Sequence, residues 1–128
     1  MKATRDSYES ESAFDEQIER VDTVQACQMV ASLDGKVHTM LSLDDDSGWT
    51  LTIGGGPNHF VIGKTDGDGV GWMRINPFQD TVEPIELVTG GQLSEFDADC
   101  VCTAKMAVDA IEEFFASPTA ITDLWKLA

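Results

Sequence analysis

Basic residues are scarce in this chain. Of 128 residues only 8 are Lys or Arg, against 23 Asp or Glu, so the formal net charge is -15 at pH 7 with histidine neutral. A field of that sign repels nucleic acid phosphates and anionic membrane surfaces, and direct binding to either is not expected. Long apolar runs are missing as well. The longest span a few residues, far short of the roughly 20 that a membrane-spanning helix needs. Met1 to Ser12 is polar and acidic, with no apolar stretch that reads as a secretion signal. These absences point to a cytoplasmic protein. Cysteine is sparse and odd in number, at Cys27, Cys100 and Cys102. Zinc wants a second pair or histidines at workable spacing, and His38 and His59 lie in other segments. Buried, reduced thiols are expected, with no metal and no cofactor.

What is present is a core. Hydrophobic residues make up 42% of the chain, so its acidity does not imply disorder, and its length suits one domain. Residues 1–20 read as an acidic polar tail that frays or packs late, with Tyr8, Phe14 and Ile18 as its only sizeable apolar groups. Residues 21–128 read as a single α+β domain. Asp22 precedes Gln25 at capping-box spacing, Val24, Cys27 and Val30 recur at helical intervals, and Asp34-Gly35 supplies a stop. A helix is predicted from about Asp22 to Asp34.

From Val37 the period changes to two. Val37, Thr39, Leu41 and Leu43 share one face, Asp44-Asp45-Asp46-Ser47-Gly48 breaks the run, and Trp49, Leu51 and Ile53 resume it. Two such runs joined by an Asp/Gly loop predict a hairpin. Gly54-Gly55-Gly56-Pro57-Asn58 separates a third strand, His59 to Lys64, which turns at Asp66-Gly67-Asp68-Gly69 into a fourth, Val70 to Ile75. Ile85 to Val88 is a fifth strand ended by Gly90-Gly91, and Cys100 to Cys102 is either a short strand or the lead-in to a helix. Ala104, Ala107, Val108, Ile111, Phe114 and Phe115 then form one helical apolar stripe, broken by Ser117-Pro118. Ile121 to Leu127 reads as a last turn docking back on the body. The expected fold is an antiparallel β-meander of four to five strands covered by two amphipathic helices.

Motifs with chemistry are few. Gly54-Gly55-Gly56 follows a strand, but no Gly-Lys-Ser/Thr comes after it and no helix opens there, so it reads as a turn rather than a phosphate cradle. The Asp44 to Gly48 and Asp66 to Gly69 stretches lack the closing Glu of a calcium loop and read as solvated hairpin tips. His59, beside Asn58 and the glycine loop, is the best single catalytic candidate, yet it sits in no serine or cysteine motif. Glycoside chemistry needs a particular pair of carboxylates, and nothing selects one among the 23. Trp49 and Trp125 read as core. Trp72, between Gly71 and Met73 after an acidic turn, reads as half exposed. An acidic surface with aromatic anchors suits a binder of a basic protein; an acidic surface that merely maintains solubility fits the composition equally.

Three stretches carry a resemblance. Trp49-Thr50-Leu51-Thr52-Ile53-Gly54-Gly55-Gly56, Asn58-His59-Phe60-Val61-Ile62 and Gly69-Val70-Gly71-Trp72-Met73 together resemble the first family of immunity proteins of bacterial polymorphic toxin systems. Members carry a strand ending in glycines, an Asn-x-Phe strand and a following strand with a Gly–aromatic step. Asp99-Cys100-Val101, the Ala107 to Phe115 helix and Leu124-Trp125 are similar to the C-terminal stretch of immunity proteins that neutralise deaminase toxins. The resemblance spans about Val37 to Leu127, and Met1 to Arg20 has no counterpart in it. It implies an antitoxin without catalytic residues, paired with a cognate, basic, nucleic-acid-acting toxin such as a deaminase or nuclease as a 1:1 heterodimer.

Under that expectation the mechanism is steric and electrostatic, with carboxylates standing where a toxin's substrate phosphates would lie. From charge and exposure, rather than from the resemblance, the expected toxin-contacting residues are Asp44, Asp45, Asp46, Asp66, Asp68, Trp72 and Glu83. Two other classes remain open: a small hydrolase using His59, which requires a concave pocket around it, and a general acidic protein-binding module.

Overall fold

The computed structural model describes residues 1–9 and 12–128. Its elements run β1 (Lys2–Glu9), β2 (Ser12–Ile18), α1 (Thr23–Ala31), β3 (Met40–Asp44), β4 (Thr50–Gly55), β5 (Phe60–Thr65), β6 (Gly71–Arg74), β7 (Ile85–Thr89), β8 (Gln92–Phe96), α2 (Ala104–Ala116) and β9 (Trp125–Leu127). The fold is α+β, as the periodicities predict. β3 to β6 form the expected meander inside a larger, antiparallel sheet of order β2-β1-β3-β4-β5-β6-β9. β7 and β8 pair as a separate two-stranded sheet.

The first twenty residues are where the structure departs most from the sequence reading. β1 is no tail: it lies between β2 and β3, pairing Lys2 through Arg5 with Asp44 through Leu41. Ala3 is fully buried in the core, and Ser7 is buried too. (Within this segment the tail expectation also covers Ser10 and Glu11, which lie outside the described residues.) What holds β1 is polar. The Asp6 carboxylate, itself buried, accepts the backbone N–H of Thr39 at 2.6 Å and of Met40 at 2.9 Å, together with the Thr39 hydroxyl. Thr39 Oγ1 in turn accepts Gly91 N–H at 2.9 Å, which ties the β7–β8 turn to the same knot. Arg5 pairs with Glu16 across β1 and β2. An acidic, serine-rich segment carries little apolar alternation, so its strand character depends on these distant partners.

α1 starts as predicted, with Asp22 accepting Gln25 N–H at 2.7 Å while the Gln25 side chain accepts Asp22 N–H at 2.9 Å. Its buried face is Ala26, Met29 and Val30, and Val24 points outward at 65% exposure. The predicted extension of β3 back to Val37 is not seen. Asp34 Oδ1 instead gathers the N–H groups of Lys36 and Val37 at 2.9 Å and of His38 at 3.1 Å, which curls the chain before β3 begins. α2 is capped by Thr103 and buries Ala107, Ile111 and Phe114 of the stripe read from the sequence, together with Ala110, while Val108 and Phe115 are half-buried and Ala104 is exposed.

Both helices cover one sheet face, where Leu41, Leu43, Leu51, Ile53, Phe60 and Ile62 complete the core. The β7–β8 hairpin covers part of the other face through Leu87, with Val61 and Val101. Gly56 explains the glycine run better than a turn does. It adopts φ +99, and a Cβ there would lie 2.2 Å from the Leu33 carbonyl oxygen, so only glycine lets β4 end against the exit of α1. The segment expected as a docking last turn is β9, which extends the sheet by pairing with β6.

Candidate functional site

The two acidic tips sit side by side at one end of the sheet. A Cβ placed on Gly48 would lie 3.7 Å from the Gly67 Cα, so the β3–β4 and β5–β6 turns touch. Five of the seven residues singled out from the sequence are thereby brought together. They are not equivalent. Asp44 Oδ1 accepts the Thr50 hydroxyl at 2.7 Å, Asp45 accepts Ser47 N–H at 2.9 Å, and Asp66 Oδ1 accepts Asp68 N–H at 2.8 Å and Val70 N–H at 2.9 Å. These three carboxylates shape the turns. The hydrogen bonds from Ser47 hold the Asp45 carboxyl below the usual carboxylate range, so it stays ionised. Asp46 and Asp68 are exposed and project outward.

Trp72 is half-buried as expected, but its ring is committed. It stacks on Trp49 at 5.5 Å between centroids and 14° between planes. Beneath that pair lies Lys64, 3% exposed. Its ammonium sits 5.5 Å from the Trp49 and Phe114 ring centroids and 5.6 Å from that of Trp125, and it donates to the Ala120 carbonyl at 2.8 Å. Burial pulls the Lys64 pKa down, partly opposed by the Glu113 carboxylate. Period two puts Lys64 on the same sheet face as the core residues Phe60 and Ile62, and there aromatic faces and one carbonyl replace its water. Trp72 therefore spends one ring face on Trp49, itself packed over the buried cation, rather than standing as an exposed anchor.

The opposite end of the sheet holds a cleft of about 560 Å³. Its walls come from the β4–β5 connection (Asn58, His59), the start of α2 (Thr103, Lys105, Met106, Asp109) and the chain after β6 (Asn76, Phe78). Arg74 and Cys102 also line it. Arg74 is buried and pairs with Glu113 at 3.3 Å, and among the described residues its Nε has no hydrogen-bond partner. Burial pushes the Cys102 thiol up to about 11, with Arg74 pulling the other way, so it is protonated at neutral pH and a weak nucleophile. His59 is exposed. Lys105 pairs with Asp109 at 3.0 Å on the surface of α2.

No model of a known protein family matches the chain, and no curated protein matches it. Among the described residues, no three His, Cys, Asp or Glu side chains gather as a metal-binding group, and no helix is long and apolar enough to cross a membrane.

Glu83, the remaining sequence candidate, is not with the acidic tips. It lies on the irregular segment that leaves the far end of β6, where it is exposed. That segment carries what sequence reasoning missed. Phe78 is 83% exposed and Val82 is 95% exposed. The available signal was two apolar residues inside an acidic stretch bracketed by Asn76-Pro77 and Glu83-Pro84, with neither strand nor helix period to bury them.

Proposed function

We propose that this protein is an antitoxin of the immunity type, which binds a cognate secreted bacterial toxin and neutralises it by covering a basic substrate cleft. The observation that carries the reading is charge: 23 acidic against 8 basic residues on a folded body whose acids are displayed, with Asp46 and Asp68 projecting from adjoining tips. Such a field accelerates encounter with a cationic partner by roughly 10- to 10³-fold at low salt. The strand and helix motifs that resemble the immunity family support the same reading, and a toxin acting on nucleic acid supplies the matching positive cleft. The activity needs no chemistry from this chain. Occupying the toxin's substrate site suffices.

One observation favours a second reading. The cleft beside His59 is the concave pocket that a small hydrolase would require. Against it, the one thiol in that cleft is held protonated by burial and is a weak nucleophile.

Mixing the purified protein with the toxin domain encoded in the adjacent reading frame tests the proposal. Co-elution with loss of toxin activity is expected, with an association rate that falls as salt rises. Free toxin activity at equimolar protein would end the antitoxin reading. A His59→Ala variant that still neutralises the toxin separates this function from the hydrolase.

A further inference from the structure

The chain between β6 and β7 holds an aromatic ring out in water on a braced base. Asn76, itself buried, donates from Nδ2 to the Val101 carbonyl at 2.9 Å and accepts Phe78 N–H on Oδ1 at 3.0 Å. Its backbone N–H donates to the Asp99 carbonyl at 2.6 Å, and Ile75 N–H donates to Leu124 O at 2.7 Å. Phe78 stands just beyond these bonds, 83% exposed, and Val82 follows at 95%. Leaving such side chains solvated forgoes the stabilisation that burial of apolar surface would give. A fixed backbone also lowers the entropy lost when they are covered.

Shape and charge together select the occupant. Phe78 is a knob at the lip of the 560 Å³ cleft, and a knob beside a hole fits either a second copy of this chain or a different protein. Two copies each carrying -15 repel. On the segment and its Val82 side the ground has the same sign: Asp80 and Glu83 are exposed, and Val82 shares a shallow hollow with exposed Asp97 and Asp99. Asp99 is the one of these that is partly neutralised, by Lys126 at 3.2 Å. The two cations that line the cleft, Arg74 and Lys105, are each paired with an acid, Glu113 and Asp109. A cationic surface with an apolar socket is the complement.

We infer that the 76–84 segment is the docking surface for the basic toxin domain, with Phe78 as the anchoring side chain and the carboxylates of Asp80, Glu83 and Asp97 as its rim. This rests on the antitoxin reading and deepens it, because it puts the affinity at the end of the sheet away from the acidic tips. Central aromatic anchors on pre-formed backbones dominate binding energy, whereas rim charges act on encounter rate.

The test measures affinity for the toxin domain of the adjacent reading frame with three variants of the full chain. Phe78→Ala should weaken binding at least about 30-fold, mainly through faster dissociation, with the unfolding temperature unchanged because the ring is exposed. Phe78→Leu should recover part of the loss. An Asp46→Asn, Asp68→Asn double variant, at exposed tip side chains, should leave dissociation within a few-fold of wild type. Wild-type affinity in Phe78→Ala, with toxin still neutralised, overturns this docking surface and leaves the antitoxin reading standing. A wild-type protein that fails to bind the toxin at all overturns both. Concentration-dependent dimerisation that Phe78→Ala abolishes assigns the surface to a second copy and also overturns the inference.

Discussion

Asp6 offers the sharpest test of how this fold closes. Its buried carboxylate accepts two backbone N–H groups, Thr39 at 2.6 Å and Met40 at 2.9 Å, and the Thr39 hydroxyl. In Asp6→Ala both N–H donors lose their acceptor where β1 meets the start of β3. Each hydrogen bond to a charged group contributes about 1.5–3 kcal/mol, and each donor left dry costs a comparable amount. Met40 is only half-buried, so water can reach one of the two, and the expected loss is about 3 kcal/mol. An unfolding entropy near 2.1 cal/mol/K per residue over this length turns that into roughly 11 °C of lost melting temperature. Asp6→Asn keeps an acceptor oxygen for both N–H groups and should lose only about 1 kcal/mol. Equilibrium urea unfolding of the three proteins reads the difference, with unchanged m-values showing that the unfolding transition is the same. If Asp6→Ala lies within about 0.5 kcal/mol of wild type, in the range of an ordinary surface change, β1 is not locked by this carboxylate and the tail reading regains its place.

Three other outcomes are expected. Gly56→Ala should unfold the protein or cost it several kcal/mol by denaturant titration, because φ +99 is strained for alanine and the new methyl meets the Leu33 carbonyl at 2.2 Å. Cys102 has a folded pKa of about 11 against 9.0 when unfolded. Its contribution to stability is therefore whole below pH 9 and is lost as pH rises from 9 towards 11, since the unfolded thiol ionises first. A Cys102→Ala variant should show a shallower decline over that window in thermal melts, and native Cys102 should resist alkylation at pH 8 while unfolded protein reacts. Asp46→Asn with Asp68→Asn should leave the unfolding temperature unchanged, as both side chains are exposed, and should flatten the salt dependence of toxin association measured by stopped flow.

Local pattern specified much of the architecture. The capping box at Asp22 and Gln25, the period-two runs of β3 and β4, and the stripe from Ala107 to Phe114 each depend on neighbours within a few residues, and each is present, with β3 starting at Met40 rather than Val37. The acidic turns are equally local, since Asp45 and Asp66 make them with their own following N–H groups. Residue order therefore settles the α+β class, the central meander and the negative surface.

Long-range partners settled the rest. β1 is a strand because Asp6 finds Thr39, 33 positions away, and no window of an acidic, serine-rich segment contains that partner. Lys64 is buried because Trp49 before β4, Phe114 on α2 and Trp125 on β9 converge on its ammonium from three separate parts of the chain. Trp72 spends its ring on Trp49, while Phe78 is left in water because Asn76 binds the Val101 and Asp99 backbones and keeps the segment from folding inward. Burial is a property of the assembled sheet and helices: hydropathy ranks which side chains favour the interior, and only packing decides which of them find room there.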